Sequence, residues 1–145
     1  MLNKILLSVL LLGVLSACAI NQNVVALKTP LKVQNICIKN NPKVLMKEGF
    51  LPELKSQIHS YGIKTSVYEG DIPAGCQYTL EYTANWAWDL AMYLTYMKLE
   101  LRESGNVIAS AEYDARRGGG NMGKFGHTSE KMRPLLKEML GRRVK

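Results

Sequence analysis

Between Cys76 and Trp88, apolar and polar residues trade places without a break. The even positions read Cys76, Tyr78, Leu80, Tyr82, Ala84, Trp86 and Trp88; the odd ones read Gln77, Thr79, Glu81, Thr83, Asn85 and Ala87. Side chains of an extended chain point alternately to opposite faces. A run this long is a strand with one greasy face and one wet face. That is the pattern of an antiparallel sheet covered on one side only.

The segments around it fit that demand. Tyr93, Met97, Leu99 and Leu101 alternate with Lys98, Glu100 and Arg102. Val107, Ala109, Ala111 and Tyr113 alternate with Ile108, Ser110, Glu112 and Asp114. Asp89-Leu90 marks one turn region and Ser104-Gly105-Asn106 a tight hairpin turn. Upstream, residues 31–38 (LKVQNICI) read as a strand stopped by Asn40-Asn41-Pro42, and 63–68 (IKTSVY) as a second short one. Phe50, Leu51, Leu54, Ile58 and Tyr61 recur at helical spacing, which predicts a helix over 50–61. Pro52 suits its first turn and Gly62 the position just past its end. Met132, Leu135, Leu136, Met139 and Leu140 form one apolar stripe of a closing helix, with Thr128 or Ser129 to cap it. The expected order is β-α-β-β-β-α. Two helices with one stripe each and a sheet with one greasy face predict an α+β fold. It is a two-layer α/β sandwich, mainly antiparallel, with both helices on one side and water on the other.

The chain opens MLNKILLSVLLLGVLSAC. Lys4 supplies a positive start, Ile5 to Leu15 an apolar run too short to span a bilayer comfortably, and Ser16-Ala17 small residues before Cys18. Leu15-Ser16-Ala17-Cys18 resembles the lipobox of bacterial lipoproteins. The resemblance implies that residues 1–17 are a signal peptide and that the Cys18 thiol receives a diacylglycerol. It also implies an acylated new amino terminus. Several acyl chains hold a protein on a membrane far more firmly than one. Ala19 rather than Asp after the cysteine implies, by the same likeness, the outer membrane on its periplasmic face. A plain signal peptide cut nearby, with Cys18 an ordinary thiol, is the alternative.

Cleavage leaves 128 of the 145 residues, enough for one domain. Residues 18–30 read as the lipidated terminus and a tether, and 31–145 as the single α/β domain. Eleven tether residues reach at most roughly 36–40 Å. The chain carries 19 basic and 12 acidic side chains, net +7, of which the leader holds one lysine. A basic balance favours anionic surfaces. In an envelope these are lipid headgroups and glycolipid phosphates, not nucleic acid. Most of this charge is spread as a solvated surface, apart from Arg116-Arg117 and the tail from Arg142 to Lys145.

Cys37 and Cys76 form an even pair outside the cytoplasm, which raises a disulfide. The strand pattern opposes it. Cys37 points away from the face of Ile36 and Ile38, while Cys76 starts the greasy face of its own strand. Gly75 gives Cys76 room to swing. A bridge and two buried free thiols both stay open.

From Gly118 the chain reads Gly-Gly-Gly-Asn-Met-Gly-Lys-Phe, close to a phosphate-binding loop. Phe125 stands where that loop needs Ser or Thr, and the helix starts too late for Gly123-Lys124 to open it. Nucleotide binding is excluded on those grounds. The stretch reads as a strand-to-helix connection, or as an anion-binding loop in which Arg116, Arg117 and Lys124 surround free backbone N–H groups. Trp86, Trp88, Tyr93 and Tyr96 concentrate near one hairpin. They read as core and core edge, or as an aromatic rim that contacts a protein, a glycan or the lipid interface. His59 and His127 read as surface or structural residues. No spacing points to a catalytic set, a metal site or a cofactor.

As a whole the chain resembles small proteobacterial envelope lipoproteins. Its element order is also similar to the two-layer domains of outer-membrane assembly lipoproteins, including the lipopolysaccharide-assembly lipoprotein. Only Cys18 is matched residue to residue. The expected function is that of a non-enzymatic accessory or binding lipoprotein. Its partners are the membrane, through the acyl chains on Cys18, and envelope proteins or anionic glycolipid. The alternative is an envelope hydrolase using Cys76 or a loop residue.

Overall fold

A computed structural model of the chain describes residues 19–29 and 33–142. The leader at 1–17, Cys18, the boundary drawn at residues 30 and 31, and tail residues 143–145 lie outside the described residues. The elements are β1 (Asn21–Val25), β2 (Asn35–Lys39), α1 (Lys47–His59), β3 (Lys64–Tyr68), β4 (Tyr78–Asp89), β5 (Ala91–Glu103), β6 (Asn106–Asp114), a 3-10 turn (Met122–Lys124) and α2 (Thr128–Met139). The six strands form one sheet in the order β1-β6-β5-β4-β2-β3. β2 runs parallel to β3 and β4, while β4-β5, β5-β6 and β6-β1 are antiparallel.

The α+β class and the two layers follow from the alternation. Ile38, Leu80, Leu101 and Ala109 sit side by side across four strands. All are fully buried and share one cluster with Phe50, Leu54 and Ile58 of α1 and Met132, Leu136 and Met139 of α2. The opposite face stays wet. Lys39, Glu81, Arg102, Glu100 and Lys98 form a chain of ion pairs across it, at 3.7, 3.5, 3.3 and 3.1 Å in that order.

The order β-α-β-β-β-α is short by two strands. The segments at 76–88, 93–102 and 107–113 are three strands that follow β3. Another strand comes from residues 19–29, expected to be a tether: Asn21–Val25 pairs with β6, Asn21 opposite Asp114 and Val25 opposite Ser110. Only Val24 of β1 packs against the core, so the segment has almost no apolar face to announce it. Backbone pairing to β6, not burial, makes it a strand. A further bond from Leu27 N–H to the Met139 carbonyl (3.0 Å) ties its exit to the end of α2.

Two smaller corrections have local causes. α1 begins at Lys47, ahead of Phe50, so Pro52 lies inside the helix rather than in its first turn. Gly62 ends it as expected, with φ +77° and its N–H on the His59 carbonyl at 2.9 Å. α2 is preceded by His127 in extended conformation, and Thr128 is already helical. The Thr128 hydroxyl accepts from Trp86 Nε1 at 3.3 Å instead of capping.

Candidate functional site

β4 and β5 outrun the rest of the sheet. β6 stops at Asp114 opposite Tyr96, and Tyr96 pairs with Asn85. Beyond that row only the β4-β5 hairpin continues, closing with Asp89 opposite Ala91 and Leu90 alone at the tip. The five residues beyond Asn85, Trp86 to Leu90, project the hairpin by roughly 16 Å.

The helices do not follow. Trp86 is the last inward side chain that they reach. It packs edge-to-face on Phe50 of α1 (5.8 Å) and bonds to Thr128 of α2. Phe50 lies in the first turn of α1 and Thr128 opens α2, so both helices start near this level. From the last turn of α1, Gln57 donates to the Ser129 carbonyl at 3.0 Å. Past Trp86 the alternation goes on with nothing over it. Trp88, Leu90 and Met92 are 72, 87 and 50% exposed, with Trp88 and Met92 directly opposite each other. Leu90 has φ +61°, a left-handed conformation unusual for leucine.

A bulge changes which aromatics face where. The register slips between Asn85 and Trp86, so Leu94 as well as Met97 is fully buried. One extra residue, Thr95, lies between them, and its hydroxyl donates to the Asn85 carbonyl (3.0 Å). Tyr93 therefore does not continue the Met97 face, as strict alternation predicted. It meets Phe125 edge-to-face at 5.5 Å. Tyr96 lies under the Arg116 guanidinium, 4.4 Å from its centroid. The four candidate aromatics thus separate, and of them only Trp88 is exposed as a rim residue would be.

The glycine stretch is a buttress for the hairpin. Lys124 is buried, and its Nζ donates to Asp89 Oδ2 and the Gly119 carbonyl while lying over the Tyr93 ring. Asn121 Oδ1 accepts from Gly123 N–H to form the short turn. Lys131 of α2 donates to the Phe125 carbonyl at 2.6 Å, and burial pushes its ammonium pKa down. Gly118 has no room for a side chain, since a Cβ would come within 2.9 Å of the Ala115 carbonyl oxygen.

Arg116, Arg117 and Lys124 do not converge as the anion-loop reading required. Arg116 forks onto Asp114 (Nε to Oδ1 2.9 Å), which holds that carboxyl at about 2. Lys124 points inward to Asp89. Arg117 is exposed, and its charge helps to lower the Asp114 pKa.

Cys37 and Cys76 are joined by a disulfide with Cα atoms 6.0 Å apart. The strand-face conflict is resolved because β4 begins at Tyr78, two residues late. Cys76 belongs to a turn in which Gly75 has φ +85° and Cys76 N–H bonds to the Pro73 carbonyl (3.2 Å). The bridged sulfur is not a nucleophile. His59 Nε2 lies 2.8 Å from Thr65 Oγ1, and His127 is exposed beside α2. Among the described residues no group of three or more His, Cys, Asp or Glu could hold a metal ion. A groove of about 390 Å³ on the wet face is lined by Asn41, Lys43, Glu81, Thr83, Lys98 and Glu100. Its acids are engaged by neighbouring cations, so it presents no single sign of charge.

Sequence reasoning missed Leu90, Met92 and Met122, the last 72% exposed in the buttress loop. The signal was present for two of them. The even positions stay apolar through 86, 88, 90 and 92, past the point where two short helices could cover them.

No protein-family model matches the chain, and no curated protein matches it. Solved structures do. It is similar to the PelC dodecamer from Paraburkholderia phytofirmans, with TM-score 0.55 and 12% identity. A point variant of that dodecamer, in another crystal form, gives 0.56 and 13%. Each likeness covers 87% of this chain and 100% of the other. At that identity the likeness is one of fold.

Proposed function

We propose that this chain is a lipid-anchored lipoprotein of the outer membrane, facing the periplasm, that acts without catalysis as an accessory or binding component. One observation carries the reading: the ordered sequence of Lys4, an apolar run and Leu15-Ser16-Ala17-Cys18. A bridged Cys37–Cys76 pair supports export, because such bonds persist in oxidising compartments. The fold likeness to PelC, a protein that forms a dodecamer, supports work in several copies. Contacts with envelope proteins or anionic glycolipid remain the expected mode of action. A hydrolase using Cys76 would need a free thiolate, which the bridge withholds.

Replacing the acceptor tests the reading. Cys18→Ser should abolish labelling by radioactive palmitate and leave the protein either soluble or unprocessed, without a lipid anchor. Globomycin should cause the uncut wild-type precursor to accumulate. Full processing and unchanged membrane retention of Cys18→Ser would overturn the proposal.

A further inference from the structure

We infer that the hairpin end of the domain docks into the same lipid leaflet that receives the acyl chains of Cys18. The inference rests on the lipoprotein reading and adds an orientation to it. Three independent placements converge.

The first is where the described chain begins. β1 is antiparallel to β6 with Asn21 opposite Asp114, so Ile20 and Ala19 continue toward the hairpin end. Ile20 lies against the buttress loop: a side chain on Gly118 or Gly123 would meet it at 3.7 and 3.6 Å. Gly123 adjoins Lys124, which is bonded to Asp89 next to the tip. Cys18 is two residues from Ile20 along the chain. Two residues of chain reach at most roughly 7 Å, so a lipid on Cys18 starts close to the finger.

The second is the distribution of exposed apolar side chains. Leu45, Met46, Trp88, Leu90, Met92 and Met122 are all exposed at this end. Leu45 and Met46 sit on the shoulder beside the start of α1, and Trp88, Leu90 and Met92 form the finger. An exposed leucine in a left-handed tip and an exposed tryptophan cost stability and solubility in water. An indole is well placed at the headgroup level, with apolar neighbours below it.

The third is charge. Two acids beside the finger are paired within the chain, Asp89 with Lys124 and Asp114 with Arg116. Arg117 is exposed there, and Lys43 is exposed on the neighbouring wet-face groove. A surface that is apolar at its tip and basic at its shoulder fits a bilayer with anionic headgroups.

The test uses the full mature lipoprotein in phosphatidylethanolamine–phosphatidylglycerol vesicles, with and without brominated acyl chains. The chain has two tryptophans, so Trp86→Phe leaves Trp88 as the reporter. Wild type and Trp88→Phe, read in parallel, give the same information by difference if Trp86→Phe folds poorly. Trp88 emission should shift to the blue on reconstitution and lose more than half its intensity in brominated vesicles. Trp88→Phe should show little quenching. If acyl chains are found on Cys18 by mass and the protein floats with vesicles, yet Trp88 stays unquenched and open to acrylamide, the docking is refuted and the anchor stands. A blue-shifted Trp88 that brominated lipid does not quench assigns the finger to a protein surface, such as a second copy, and also refutes it. Absence of acyl mass with no flotation refutes the anchor, and the orientation with it.

Discussion

The body of the sheet and its hairpin extension are written in the same code and meet opposite fates. In the body, Leu80, Tyr82 and Ala84 of β4 face α1 and α2 and are buried. In the extension, Trp88, Leu90 and Met92 continue the alternation and stand in solvent. Nothing in the residue types separates the two groups. The difference is the length of the second layer, which stops at Trp86 where both helices begin. Apolar periodicity specifies which face a strand would bury; it does not specify that a cover exists.

The same contrast holds for polar groups. On the body, the outer ion pairs are exposed and individually weak. In the extension, Lys124 is drawn inside to support the hairpin through Asp89 and Gly119. A stretch that looks like a ligand loop has become the strut of an exposed finger.

Cutting the bridge should affect the body most. With a sequence separation of 39 between Cys37 and Cys76, the chain-entropy treatment gives about 4 kcal/mol for its loss. Urea unfolding of the Cys37→Ser/Cys76→Ser double variant should show that drop. A loss below about 1 kcal/mol would mean that the bridge does not constrain the body, and the contrast would weaken. Next comes the core. Leu136→Ala should cost roughly 2–5 kcal/mol, because it leaves a hole between α2 and the sheet. Glu81→Ala on the outer face should cost less than about 1 kcal/mol. Equal losses at the two sites would break the assignment of faces.

The finger should behave in the opposite sense. Leu90→Gly relieves the left-handed strain and should raise the unfolding free energy by about 1 kcal/mol or less. A clear destabilisation would show that the exposed leucine makes native contacts, and would sharpen the comparison by ending it at Trp88. The smallest effect belongs to pH. Hydrogen bonds from the Arg116 side chain, chiefly, hold the folded Asp114 carboxyl at about 2, below its ordinary 3.8. That pairing stabilises the fold above the ordinary value and is lost as pH falls through the folded one. Arg116 is largely exposed, so solvent screens the pair and keeps the gain small. Asp114→Asn should lower stability slightly at neutral pH, leave it nearly unchanged below the folded pKa, and so flatten the acid limb of a stability–pH curve in that interval. An unaltered acid limb would remove Asp114 from the account.

Residues alone were enough for the class, the two layers and most of the elements. Leu54, Ile58, Met132 and Leu136 had to face a sheet, since one apolar stripe per helix can be buried in few ways. They were also enough to propose the site of lipid attachment, because a leader is read as linear sequence. Other features were settled only by distant pairing. Asn21–Val25 is a strand because β6 offers it an open edge, and five mostly polar residues cannot signal that locally. Tyr93 and Leu94 exchange faces because one bulged residue at Thr95 offsets the register. Cys76 reaches Cys37 because the turn at Gly75 delays the start of β4. Trp88 is bare because α1 and α2 begin one inward residue too low. Local pattern states what each residue prefers to touch; which preferences are met depends on where separate segments end in space.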